Sequence, residues 1–147
     1  MLHHALTLRG PSVILEANTL VQIRDREASA APDAGSAVLR SGEDLTLICT
    51  GATASLAEHL HSACERDGIE PEVLHLRSLR PIDETGLAES LHKTGRCLVL
   101  SDSDAFCSHL MGVITKLAFL HLESPPRASS STSIEVLMGL VGEILDY

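Results

Sequence analysis

Large aromatic side chains are almost missing from this 147-residue chain: it has no tryptophan, and Phe106, Phe119 and Tyr147 are all the phenylalanine and tyrosine it contains. That leaves little for a nucleobase to stack on. Basic residues are also the minority, 11 against 20 acidic ones for a formal charge of −9, so the chain lacks the electrostatic footprint of a polyanion binder, and nucleic-acid binding is set aside. No apolar run reaches the ~18 residues of a membrane span, and Met1, Leu2, His3 and His4 do not form a basic stretch leading into an apolar one. The chain is therefore read as soluble and cytosolic. Cysteines stand at 49, 64, 97 and 107 without a C-x-x-C pair, and three fall within apolar-periodic segments, which points to reduced, buried thiols rather than disulfides or zinc ligands. The length suits one domain burying roughly 68–70% of its unfolded surface.

What is present is an alternation of strand-like and helix-like segments. Asp25 to Ser36 (DREASAAPDAGS) has no apolar face of either period and is broken by Pro32 and Gly35, so it reads as a linker. Before it, Leu2 to Leu8 suits a brief helix and Ser12-Val13-Ile14-Leu15-Glu16 a strand. That strand has no evident neighbour, which makes Val13, Ile14 and Leu15 candidates for association with another chain or with the rest of this one. After it, Ala37–Arg40 and Leu45–Cys49 read as strands joined by the turn-rich Ser41-Gly42-Glu43-Asp44, which suits a hairpin. From Thr50-Gly51 a helix carries Leu56, Ala57, Leu60, Ala63 and Cys64 on one face and stops at Gly68. Further strands are expected at Pro71–Leu76, Arg96–Leu100 and Phe119–Leu122. Helices are expected at Glu84–Lys93 behind an Asp83 cap, from a possible Asp104 cap to Leu117, and at Ile134–Leu145. Ser129 to Ser133 reads as a loop. Such alternation implies right-handed crossovers and a mainly parallel sheet between two helical layers, a three-layer α/β/α sandwich.

Few residues offer chemistry. Arg77 and Arg80 flank a turn at a strand's carboxyl end, where open α/β sheets place ligands, and are candidates for a carboxylate or phosphate. The same residues also serve as turn formers, with Pro81 setting φ and Asp83 capping the next helix, and this structural reading weighs more. Thr50-Gly51 forms a strand-to-helix turn whose amides suit an anion, but it lacks the G-x-x-x-x-G-K-[ST] or G-x-G-x-x-G spacing of nucleotide loops. His59 and His61 point roughly 200° apart on a helix, cannot share a metal, and are expected in solvent. His75 and His121 are expected in strands, packed or interfacial, and His92 and His109 on helices without an acidic orienter. Asp102 and Asp104 suit a solvated helix N-terminus better than a magnesium site. No catalytic or metal-binding residue is assigned.

One stretch is specific. His75-Leu76-Arg77-Ser78-Leu79-Arg80-Pro81-Ile82-Asp83 closely resembles the strand-to-helix junction of transketolase C-terminal domains. Gly42-Glu43-Asp44-Leu45-Thr46-Leu47-Ile48 with Thr50-Gly51, then Lys93 to Leu100, then Ala118 to Pro125, follow in that family's order. The similarity is greatest to the beta subunits of thiamine-diphosphate-dependent 2-oxo-acid dehydrogenases, and Pro11 to Asn18 resembles the last strand of the pyrimidine-binding domain that precedes the linker there. The resemblance implies a remnant of that domain at 1–24, a linker at 25–36 and a transketolase C-terminal-like domain at 37–147. It also implies a five-stranded mixed sheet in which Ala37–Arg40 alone runs antiparallel. Two departures stand out: Ser101 to Cys107 has no glycine where the family has a Gly-rich loop, and the region after Pro125-Pro126-Arg127 is compressed, so partner choice is not carried over.

The same resemblance implies a role in an assembly. The family's G-D-G segment, followed some 25 residues later by N-N, holds magnesium and diphosphate, and neither is in this sequence; the activating glutamate belongs to the pyrimidine-binding domain. The implied function is a noncatalytic subunit of a split thiamine-diphosphate-dependent 2-oxo-acid dehydrogenase or transketolase-like enzyme. It would bind no cofactor alone, with thiamine diphosphate and magnesium expected in the assembled enzyme. Its partners would be a separate chain carrying the cofactor-binding domains and a lipoyl or acyl carrier protein, in a homo- or hetero-oligomer such as a dimer. Two other readings stay open: a free-standing regulatory module binding a small anion near Thr50, Arg77 and Ser101, and a truncated noncatalytic homologue.

Overall fold

A computed structural model describes residues 10–11, 35–51 and 53–147. The helix expected at Leu2–Leu8, the strand at Ser12–Glu16 with Val13, Ile14 and Leu15, and nearly all of the linker lie outside these residues. Among them, five strands alternate with four helices: β1 (Ser36–Arg40), β2 (Leu45–Thr50), α1 (Thr53–Arg66), β3 (Pro71–Leu76), α2 (Glu84–Thr94), β4 (Cys97–Leu100), α3 (Asp104–Ala118), β5 (Arg127–Ser129) and α4 (Ile134–Leu145). The sheet order is β1-β3-β2-β4-β5. β1 runs antiparallel to β3, and the other neighbours are parallel, as the resemblance implied.

Burial explains the order. The first five residues of β2 and all of β4 are buried, as expected of parallel strands covered on both faces. Leu45, Leu47, Cys49, Val73, Leu98 and Leu100 face α1 and α4. The alternate residues Ile48, Leu74, Leu76, Cys97 and Val99 face α2 and α3. Two apolar layers on opposite sides of one sheet make the three-layer sandwich. Amphipathic spacing suffices for α1, whose Ala57, Leu60, Ala63 and Cys64 are buried and whose chain reverses at Gly68 with φ +78°. At the end of α2, Gly95 is left-handed with φ +66°, and a Cβ there would lie 2.9 Å from Cγ of Glu123.

Three local expectations are corrected. β1 and β2 do not form a hairpin, because β1 pairs with β3. The Ser41–Asp44 turn is instead pinned to the approach of β3: the amides of Glu43 and Asp44 donate to the Glu70 carbonyl at 2.9 and 3.1 Å, and Asp44 Oδ2 accepts from the Glu70 amide at 2.7 Å. β3 thereby occupies the place beside β1 and leaves buried β2 in the middle. The last strand is Arg127–Ser129 rather than Phe119–Leu122, since Phe119 continues α3 in right-handed geometry and donates to Thr115 O at 3.1 Å. Ser129 therefore belongs to a strand rather than to the loop. The α3 cap is Ser103, whose hydroxyl accepts from the Phe106 amide at 3.3 Å, while Asp104 is the first helical residue.

The cysteines sit where the sequence analysis expected them. All four are free and buried. Burial pushes the Cys49 and Cys97 thiols up to about 12 and that of Cys64 to about 11, and raises Cys107 as well.

Candidate functional site at the carboxyl edge of the sheet

Because β2, β3, β4 and β5 are parallel, their carboxyl ends open on one edge, the usual ligand face of an open α/β sheet. Thr50 stands level with Leu76, Cys49 with Leu100, and Leu100 with Ser129, so Thr50, Gly51, Arg77 and Ser101 lie along that edge. Arg80 lies further along the exposed turn. Thr53 ties the edge together. Its hydroxyl accepts from the Thr50 amide at 3.0 Å and lies 2.9 Å from Thr50 O and 2.8 Å from Leu100 O, within donating distance of both. Serines do the same beside it: Ser101 Oγ accepts from the Ser103 amide at 3.2 Å, Ser129 Oγ from Ser131 at 3.1 Å, and Ser131 Oγ from Ser133 at 3.2 Å. Several amides that would cradle an anion are thus engaged by the chain's own hydroxyls.

Beyond β3 the chain is organised around Asp83. One oxygen of its carboxylate caps α2, accepting from the Gly86 amide at 3.1 Å. The other accepts from the Ser36 amide at 2.9 Å and the Ser36 hydroxyl at 2.8 Å. These bonds, the Gly86 amide first and the Ser36 hydroxyl next, hold the carboxyl below its ordinary range. Arg77 donates its amide to Gly35 O at 3.0 Å, extending the tie between β1 and β3. Ser78 Oγ donates to Pro81 O at 2.7 Å across a turn that contains the cis Arg80–Pro81 bond. Among the described residues neither guanidinium enters an ion pair.

The histidines are dispersed. His59 is exposed as expected, but His61 is buried, with Nδ1 2.9 Å from Pro71 O and Nε2 3.4 Å from Glu65. Its helix buries a face broad enough to include both Leu60 and His61. His75 is half-buried in β3, and burial followed by the Arg77 charge lowers its pKa. His121 is not in a strand; it lies in the turn after α3 and stacks on His92, ring centroids 3.9 Å apart. His109 is exposed on α3, and Asp102 and Asp104 are exposed at its start.

Sequence reasoning missed Glu72, a carboxylate buried on β3 and paired with Lys93 of α2. The pair borders a groove of about 480 Å³ between β1 and α2, lined also by Ser36, Val38, Asp83 and Glu89. The available signal was a charged residue inside an apolar strand, Pro71-Glu72-Val73-Leu74. Magnesium and a diphosphate require several oxygen ligands around one ion. Among the described residues no group of three or more His, Cys, Asp or Glu side chains is placed to hold a metal, and the residues at the sheet edge do not fit that group.

Comparison with known proteins agrees with this architecture. The model of the family "Transketolase, C-terminal domain" matches residues 35–140, and the chain belongs to that family. A pyruvate dehydrogenase E1 component subunit beta from Acholeplasma laidlawii is 29% identical over 123 residues, covering 79% of this chain and 38% of that protein. A 2-oxoisovalerate dehydrogenase subunit beta from Pseudomonas aeruginosa is 32% identical over 93 residues, covering 61% and 26%. The chain therefore spans less than two fifths of these relatives. Among solved structures, "Split gene transketolase, inactive beta4 tetramer" superposes with a TM-score of 0.62 at 20% identity over 76% of this chain and 42% of that one, a likeness of fold. No helix among the described residues is long and apolar enough to cross a membrane.

Proposed function

We propose that this chain is a noncatalytic C-terminal-domain subunit of a split thiamine-diphosphate-dependent enzyme, a 2-oxo-acid dehydrogenase or a transketolase-like protein. The observation that carries the reading is the family match over 35–140, with similarity to beta subunits of 2-oxo-acid dehydrogenases. In this reading residues 1–24 are the remnant of a pyrimidine-binding domain, 25–36 the linker and 37–147 the family domain. Thiamine diphosphate and magnesium belong to a separate chain, and this chain supplies association, with Val13, Ile14 and Leu15 at the contact. A lipoyl or acyl carrier protein accepts the two-carbon or acyl fragment from the assembly, which works in the cytosol.

The test is a mixing assay with a neighbouring gene product that carries G-D-G and N-N segments. Decarboxylation of a 2-oxo acid, or ketol transfer, is expected only when both chains are present, and introducing charge with Val13→Glu and Leu15→Glu should abolish it, because a charge in an apolar contact is desolvated without a partner. A neighbour fully active alone would overturn the assignment. The small-anion module is the second reading, favoured by Arg77, whose guanidinium enters no ion pair among the described residues, at the same edge as Thr50 and Ser101. Saturable phosphate binding that Arg77→Ala removes would support it.

A further inference from the structure

The groove between β1 and α2 carries a carboxylate that the fold leaves half used. Leu87 and Leu91 of α2 are buried against the sheet, whereas Val38 of the outer strand β1 is 53% exposed. Its floor is Leu74, opposite Val38 on β3, and Glu72, two residues earlier on the same face. The Glu72 side chain is 3% exposed, and its Oε2 meets Lys93 Nζ. Its Oε1 accepts no hydrogen bond among the described residues. Of their side-chain polar atoms, the one that is both unpartnered and sealed from solvent is the Ser124 hydroxyl, so Oε1, unpartnered but not sealed, opens on the groove that Glu72 lines. A buried carboxylate oxygen without a donor is costly, and a group entering the groove can supply one.

We propose that this groove binds a small aliphatic diamine, one ammonium donating to Glu72 Oε1, the other to Glu89, and the methylenes lying on Val38 and Leu74. Charge selects a dication. Glu72, Asp83 and Glu89 stand on the walls against Lys93 alone, an excess of two negative charges. Asp83 is engaged by Gly86 and Ser36, but Glu89 is exposed and enters no ion pair among the described residues. Donor chemistry selects an ammonium. Lys93 already holds one oxygen of Glu72, so the two-pronged grip that favours a guanidinium is closed, whereas a single N–H of an ammonium fits the remaining oxygen. A metal ion lacks its ligands, since no group of three or more His, Cys, Asp or Glu among the described residues is placed to hold one. Size agrees: about 480 Å³ is within the range of small-molecule sites.

The site uses none of Val13, Ile14, Leu15, Thr50, Arg77 or Ser101, so its test is independent of the proposed function. Calorimetric titration of the full chain with 1,4-diaminobutane at low ionic strength, where surface charge is least screened, is compared with n-butylamine, which has the chain and one ammonium only. Saturable one-to-one binding of the diamine is expected, with n-butylamine about tenfold weaker or more. Glu89→Gln, at an exposed helix position, should weaken the diamine by about tenfold and leave n-butylamine within about twofold, while Glu135→Gln, an exposed acid of α4 outside the groove, should leave both unchanged. Glu72→Gln should weaken both amines, and if it does not fold, as read by circular dichroism, Glu89→Gln still decides. Amide resonances of residues 36–38 and 85–93 should move on titration. No saturable heat up to about 10 mM diamine, n-butylamine binding as tightly, equal losses in Glu89→Gln and Glu135→Gln, or resonance shifts confined to other residues would each overturn the proposal.

Discussion

Replacing Asp83 by alanine removes three hydrogen bonds at one point. The Gly86 amide loses its cap, and the Ser36 amide and hydroxyl lose the carboxylate that anchors β1 to the start of α2. An N-cap carboxylate contributes about 1 kcal/mol. The Ser36 bonds are charge-assisted but half exposed, so they are taken at the low end, about 1 kcal/mol together. The sum, about 2 kcal/mol, corresponds to a fall in Tm of about 6–8 °C for a domain of this size. The charge matters separately. Because the folded pKa is depressed, the carboxylate stabilises above the unfolded value of about 3.9, and this contribution disappears as pH falls through the lower folded value. Asp83→Asn, which keeps one acceptor, should fall between wild type and alanine at pH 7 and converge on wild type in strong acid. Gly86→Ala attacks the knot from the other side, since its Cβ would lie 2.2 Å from Ser36 Oγ and force the hydroxyl away. Urea denaturation of the three variants at pH 7 and pH 3 is the assay. A loss below 0.5 kcal/mol for Asp83→Ala, or a gap that widens in acid, would refute the reasoning.

Two further outcomes follow from buried groups. Lys93→Met leaves the carboxylate of Glu72 buried without its cation; because Lys93 is itself 38% exposed, the expected cost is about 1–3 kcal/mol rather than the full penalty of a deeply buried pair, and Glu72→Gln in the same background should recover part of it by chemical denaturation. The four thiols, all buried and with Cys49 and Cys97 raised to about 12, should react with a disulfide reagent at pH 8 only at the rate of opening, and fast labelling of Cys49 or Cys97 in the native protein would contradict their placement.

Sequence carried the parts of this fold whose signals are local and apolar. The strands Leu45–Cys49 and Pro71–Leu76 and the helices around Leu60, Leu87 and Ile134 follow from periodicity, because each buries a repeating face. β5 was illegible: three residues, Arg127 to Ser129, two of them exposed, have no apolar pattern and become a strand by pairing with β4. Phe119 to Leu122 alternates like a strand, but helix geometry carried forward from α3 includes Phe119 and leaves its ring outside. Turn chemistry at Ser41–Asp44 was visible, whereas the choice of β3 over β2 as the neighbour of β1 is a long-range event. At the site, the parallel order of β2, β3 and β4 brings the strand ends near Thr50, Arg77 and Ser101 to one edge. The engagement of their amides by Thr53 and the serines depends on side-chain direction, which spacing does not convey. His61 was lost for the same reason.

The central claim, that cofactor chemistry belongs to another chain, is tested most directly by titrating thiamine diphosphate with magnesium into the purified protein in a calorimeter. Absence of saturable heat at micromolar to submillimolar cofactor is the predicted result, and the same titration should become saturable once the partner chain is added. Saturable micromolar binding to this chain alone would contradict the account.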